Sequence, residues 1–200
     1  LHEATFESKW LQEAVKLGLE MIELFWDEKT NTFYDTGNDH EQLLIRPREF
    51  FDNAIPCGSS VAVEVLLKLN LLTEEEIYRT VATRALQSVG PLMSQHPLGM
   101  SRWLCALDFC VQTPKEIAII GSLSETPTQE LLKTIYQRYL PNRVITGSET
   151  EDGSGEHKLP LLRFRTMVNG QPTAYVCENY VCQFPVNDPA ELSSLLENPN

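Results

Sequence analysis

Two groups of residues have the types and spacing that could do chemistry. The first is Asp35, Arg46, Asp52, Asn53 and Cys57, all between positions 35 and 57. Carboxylates can act as general acid and general base, so Asp35 and Asp52 are the candidate catalytic pair. An arginine can hold a hydroxyl or a carboxylate, and Arg46, Asn53 and Cys57 are the candidate substrate-binding residues. The segment leads into a helix start near Gly58, where backbone N–H groups are also available to an anion. A purely local reading stays open beside this one. In it Asp35 is a turn residue, Arg46 pairs with Asp52, and Asn53 caps the helix.

The second group is Cys177 and Cys182 in AYVCENYVCQFPVNDP. As zinc ligands they would need two more partners. His157 is the nearest histidine upstream, and the spacing is not C-x2-C. As a disulfide they could flank a four-residue hairpin loop, E-N-Y-V, with Cβ atoms at the required ~4 Å. As reduced thiols they would sit buried in an ordinary hairpin, which is the expected state; the reversible disulfide is the alternative. Cys105 and Cys110 lie five apart on a helix, a rotation of about 500°, and point to different faces. No metal and no cofactor is expected.

The elements that must position these groups fall into two halves. The pattern from Thr5 to Trp26 is helical, with a narrow polar stripe at Lys9, Glu13, Lys16, Glu20 and Glu23. A helix this apolar is expected to be covered on more than one side. A polar, turn-rich segment follows. A second helix starts near Gly58 and runs through VAVEVLLKL. Thr73 and Glu76 read as a capping box for a third, which Gly90-Pro91 should end. A fourth covers roughly Met100 to Val111. The character changes at Pro114. KEIAIIG reads as a buried strand, followed by a helix with Thr126 as cap and Pro127 at its first position. RVIT reads as a strand, and GSETEDGSGEHK as a mobile surface loop. LPLLRF and TAYVC are further strand candidates. Asp188-Pro189-Ala190-Glu191 then opens a last helix. Gly121 to Thr126, between that first strand and its helix, lacks the glycine pattern of a nucleotide loop and reads as a plain connection.

The fold expected is therefore α+β, with helical hairpins over residues 1–113 and a small α/β subdomain over 114–200. Two hundred residues with 42% apolar side chains can build a substantial core. The net charge of −12 argues against non-specific nucleic-acid or anionic-membrane partners. No apolar run is long enough to span a bilayer, and Leu1 to Phe6 lacks the basic start of a signal peptide. Five scattered cysteines suit a reducing cytoplasm better than a disulfide scaffold.

Three segments together resemble a known family. They are FYDTGNDHEQLLIRPREFFDNAIPCGSSVAVEVLLKL, then KEIAIIGS, then AYVCENYVCQFPVNDPAEL. In that order they are similar to the C-terminal third of the thioredoxin-domain-containing proteins that include the spermatogenesis-associated thioredoxin-like proteins. The resemblance covers nearly the whole chain. It implies a longer polypeptide: a thioredoxin-like domain, an (α/α)6 toroid like those of six-hairpin glycosidases and sugar epimerases, and a small α/β tail. This chain would supply the last helical hairpins and the tail. Its partners would be the remainder of the same polypeptide and a sugar-like small molecule bound by loops at one end of the hairpins. The enzyme version makes Asp35, Arg46 and Asp52 part of a glycosidase or epimerase site. A scaffold or thiol-redox partner of the thioredoxin-like domain is the other version. By itself the segment should lack a complete site, and its uncovered apolar surface should drive self-association. One departure stands out: the family pattern P-S-G-N-S reads here Pro56-Cys57-Gly58-Ser59-Ser60, without the asparagine.

Overall fold

A computed structural model describes residues 1–41, 45–149 and 159–197. Its mixture of helices with two small sheets is α+β. The chain divides into two units, one of residues 11–112 and one of residues 1–10 with 113–200.

The segment expected as one helix from Thr5 to Trp26 is broken near its start. Helix α1 (His2–Thr5) ends at Phe6, which is left-handed at φ 56°. The Thr5 hydroxyl accepts the N–H of Glu7 at 3.3 Å across the break. Left-handed backbone costs a non-glycine residue about 1–2 kcal/mol. The return is burial: Phe6 packs against the α/β core and covers Gly147, where any side chain would collide with its ring. Helix α2 (Ser8–Phe25) then buries Leu11 and Gly18. A methyl group at position 18 would meet Leu69 at 2.7 Å, so glycine sets this close approach. Leu17 and Leu19 stay 60% and 48% exposed. The helix expected to be covered on more than one side is thus covered on one. Trp26 leaves the helix into β1 (Trp26–Asp27), which pairs antiparallel with β2 (Thr32–Phe33).

Helices α3 (Gly58–Thr73), α4 (Glu76–Gln95) and α5 (Ser101–Val111) pack pairwise. Their core includes Leu66, Leu67, Tyr78, Ala82, Leu86 and Trp103. Two helix-end expectations fail. Thr73 does not cap α4; it closes α3, donating to the Leu69 carbonyl at 2.7 Å and accepting the Glu75 N–H at 3.3 Å. Glu74, left-handed at φ 60°, makes the turn. Gly90-Pro91 does not end α4, which continues to Gln95. Proline inside a helix removes one ladder bond and costs about 3 kcal/mol. Burial of Val89 and Met93 on either side holds the helix together.

In the other unit β3 (Lys115–Ile120) is followed by α6 (Thr126–Tyr136), β4 (Arg143–Ser148), β5 (Thr173–Glu178), β6 (Val181–Cys182) and α7 (Pro189–Glu197). The sheet order is β4-β3-β5-β6. β3 and β4 are parallel, joined by α6; β5 and β6 are antiparallel additions. β3 is buried from Glu116 to Ile120, as a strand covered on both faces must be. Ile117, Ile119, Ile145 and Val176 pack against Leu131, Ile135, Leu192 and Leu196 of α6 and α7. Asp188 Oδ1 accepts the N–H groups of Ala190 and Glu191 at 2.8 and 3.1 Å, the cap its sequence suggests. The cap of α6 falls one residue earlier than expected, at Glu125.

LPLLRF is not a strand. Pro160–Leu162 form a 3-10 turn that plugs Leu161 and Leu162 into the side of the sheet. Pro160 has no N–H to give a strand ladder, and a turn seats both leucines. β4 also runs two residues further than RVIT, to Ser148. The rest of the acidic loop, 150–158 with His157, lies outside the described residues.

Candidate functional site

Between β2 and α3 the chain runs from residue 34 to residue 57, and its described residues form no helix or strand. Loops this long without secondary structure are uncommon in compact domains and are usually functional when ordered. This one is held by backbone bonds and by side chains acting on backbone. At its start, the Tyr34 N–H bonds the Phe25 carbonyl at 2.9 Å and the Asp35 N–H bonds the Pro47 carbonyl at 3.0 Å. At its end, Trp103 Nε1 donates to the Phe50 carbonyl at 2.9 Å.

Pro47 restricts Arg46 to extended backbone, so Arg46 and Arg48 fall on one side of the strand-like run. Both guanidinium groups reach the same ring: their carbons lie 3.8 and 3.9 Å from the Tyr34 centroid. Two planar cations that near one ring centre cannot share a face, so they sandwich it. Arg46 Nη2 donates to the carbonyls of Leu24 and Thr36. Arg48 pairs with Asp27, which also accepts from Thr30 and from the Tyr34 hydroxyl. Hydrogen bonds from Thr30, the Lys29 N–H, Tyr34 and Arg48 hold the Asp27 carboxyl below its ordinary range. The buried Nε atoms of Arg46 and Arg48 have no partner among the described residues.

The other named residues separate. Asp52 Oδ1 accepts the Cys57 N–H at 2.9 Å and the Ser60 hydroxyl at 3.0 Å, and Oδ2 accepts the Arg102 N–H at 2.8 Å. Cys57 is the N-cap of α3: its sulfur accepts the Ser60 N–H at 3.4 Å, and its thiol donates to the Phe50 carbonyl at 3.5 Å. Asp35 and Asn53 are exposed. Arg46 is bonded to backbone and stacked on Tyr34, while Asp52 holds the α3 and α5 starts. Asn53 bonds the Ile55 carbonyl through its own N–H and does not cap α3. Tyr34, Arg48 and Asp27 were not singled out by sequence. The signal was the R-P-R spacing, which sets two arginines on one side of an extended run.

In the helical unit α4 and α5 also border an apolar groove of about 680 Å³, lined by Leu86, Met93, Leu104, Leu107, Cys110 and Val111. Cys105 and Cys110 are free, exposed and half-buried respectively. Among the described residues no group of three or more His, Cys, Asp or Glu gathers as a metal site would require. None of their helices is long and apolar enough to cross a membrane.

In the α/β unit, β5 and β6 form a hairpin in which Cys177 faces Cys182 and Glu178 faces Val181. The loop is two residues, not four. Asn179 and Tyr180 both have positive φ, 49° and 62°, the backbone of a type I′ turn. Cys177 and Cys182 are joined by a disulfide. Arg165 Nη2 lies 3.2 Å from the Cys177 sulfur and 3.1 Å from that of Cys182. No sequence spacing pointed to Arg165.

No family model matches the chain. It is similar over 98% of its length to Spermatogenesis-associated protein 20 of Homo sapiens, 31% identical across 198 residues. The Rattus norvegicus protein of that name is 31% identical across 201 residues. An uncharacterized Caenorhabditis elegans protein is 24% identical across 200. The chain spans about a quarter of the length of these curated relatives, and so matches one portion of a larger homologous protein.

Proposed function

We propose that residues 11–112 supply one wall of a polar, carbohydrate-like pocket in a longer polypeptide and have no complete activity by themselves. The observation that carries this is the pair of buried Nε donors of Arg46 and Arg48, without partners among the described residues, in a loop fixed by Arg46, by Trp103 of α5 and by backbone bonds. Buried donors cost stability unless satisfied. A hydroxyl or carboxylate of a sugar-like ligand is an acceptor they suit once the side chains packed over them move aside. Asp35 and Asn53, exposed on the same loop, are the groups left to meet such a ligand. In a glycosidase or epimerase version Asp35 takes the acid–base role. Asp52, with three donors already on its oxygens, positions the loop and Cys57. The remaining wall, and any second carboxylate, would come from the remainder of the polypeptide. That remainder would cover the α4–α5 groove and Leu17 and Leu19 of α2.

The test is a thermal-shift and calorimetric screen of neutral sugars and sugar acids. It uses the longer polypeptide, its Arg48→Met and Asp35→Asn variants, and the 200-residue chain. Binding by the longer protein that weakens at least tenfold in Arg48→Met, with no turnover by the 200-residue chain, supports the reading. Turnover by the short chain, or no ligand among the sugars, overturns it.

A further inference from the structure

We propose that Cys177 and Cys182 are a redox-active pair, in which Cys182 is the sulfur attacked by an incoming dithiol reductant and Arg165 stabilises the Cys177 thiolate that leaves. The site lies in the α/β unit and does not depend on the sugar-pocket reading. Three observations carry it. The sulfurs are unequal: Cys177 is fully buried and Cys182 is exposed, so a nucleophile reaches only one. A guanidinium touches both. The hairpin is already fixed without the bond. Its type I′ turn, the Lys115–Glu178 ion pair at 2.6 Å and the Tyr180 N–H bond to buried Glu116 at 3.3 Å all hold it to β3. A cross-link between residues only five positions apart constrains the unfolded chain little.

Arg165 is built into this place. It is half-buried, its guanidinium lies 5.2 Å from the Tyr175 ring centroid, and its Nη1 is buried without a partner among the described residues. An arginine keeps its charge in a protein, so it brings a fixed cation to the sulfurs. Burial makes the Cys177 thiol resist ionisation; the Arg165 cation favours the thiolate, while the buried Glu116 carboxylate, opposite Cys177 in the sheet and itself interacting with Arg165, opposes it.

The exchange balances as follows. One thiolate of the dithiol attacks the Cys182 sulfur along the S–S axis. The Cys177–Cys182 bond breaks, its electron pair leaves on Cys177 beside Arg165, and a mixed disulfide joins the reductant to Cys182. The second thiolate of the dithiol attacks its own sulfur in that mixed disulfide and expels Cys182. The pair gains two electrons and two protons, and the dithiol becomes a disulfide. The reverse sequence oxidises the pair.

The test uses the 200-residue chain, isolated without reductant. Excess glutathione serves as a monothiol probe, and early quenching traps the mixed disulfide before Cys177 re-forms the bond or a second glutathione expels Cys182. Acid quenching and peptide mass mapping should place the adduct on Cys182 and leave Cys177 free. Dithiothreitol should reduce the pair while circular dichroism stays native. In Arg165→Met that reduction should slow about tenfold, and the pH midpoint for alkylating Cys177 in the reduced protein should rise; one unit of thiol pKa is a tenfold change in thiolate. Arg165→Lys should restore much of both. A merely structural arginine would leave the midpoint where it was. If Arg165→Met does not fold, the adduct position in the unaltered chain decides alone. Glutathione on Cys177, on both equally or on neither overturns the proposal. So does alkylation of both thiols without reductant, reduction only on unfolding, or an unchanged rate and midpoint in Arg165→Met.

Discussion

The Asp52 carboxylate bonds the backbone N–H of Cys57, five residues on, and that of Arg102, fifty residues on. One side chain thereby ties the start of α3 to the start of α5, and the Asp52 N–H returns a bond to the Gly99 carbonyl at 2.7 Å. Removing it leaves backbone donors unmatched at both ends. Hydrogen bonds to a charged group are worth about 1.5–3 kcal/mol each. Asp52→Ala should therefore lower the free energy of unfolding by about 3 kcal/mol, and Asp52→Asn by less. Urea titration reads the difference; a loss under about 1 kcal/mol in Asp52→Ala would show that the bonds are not made in solution.

Cys57 caps α3 with a sulfur, a weak acceptor for the Ser60 N–H. Serine is among the better helix caps, and its hydroxyl can still donate to Phe50. Cys57→Ser should change stability by no more than about 1 kcal/mol, and Cys57→Val should cost about 1–2 kcal/mol, because valine cannot cap. Equal stability of the two variants would remove the cap assignment.

Leu17 and Leu19 stand exposed on α2, and the α4–α5 groove is apolar. Exposed apolar surface of this kind promotes association. The isolated chain should sediment as a concentration-dependent mixture, and Leu17→Glu with Leu19→Lys should shift it toward monomer. A strict monomer at high concentration contradicts the expectation.

The α+β class was legible because its signals are local and repeated. The continuous apolar run Ile117–Ile120 marks a buried strand, and Asp188-Pro189-Ala190-Glu191 marks a helix start. Helix ends were less legible because tertiary burial outweighed local signals. Pro91 is carried inside α4 by Val89 and Met93, and Phe6 breaks a periodic helix to reach the α/β core. In the candidate site, the types and positions of Asp52 and Arg46 stood out, but their partners did not. Asp52 bonds Arg102 across fifty residues, and Arg46 bonds two backbone carbonyls, relations that no spacing announces. Arg165 was invisible for the same reason. Its place beside Cys177 and Cys182 comes from a turn after Pro160 that read as a strand.

His2 offers a pH-dependent readout of the α/β unit. Its ring is buried, with Nε2 3.0 Å from the Thr146 hydroxyl and Nδ1 3.2 Å from the Glu7 carbonyl. Burial lowers its pKa below the ordinary 6.5, although the Glu7 carbonyl and the Glu3 carboxylate favour the proton. A folded-state value below the unfolded one means that the unfolded chain takes up the proton first on acidification. Above the unfolded value both states are neutral and the native fold has its full stability in this respect. As pH falls from about 6.5 through the folded value, that stability is lost. His2→Gln keeps a polar group for Thr146 without titrating. It should flatten the decline of melting temperature below about pH 6.5 relative to the unaltered chain. Parallel melting curves across that range in the two proteins would show that His2 does not contribute to the decline.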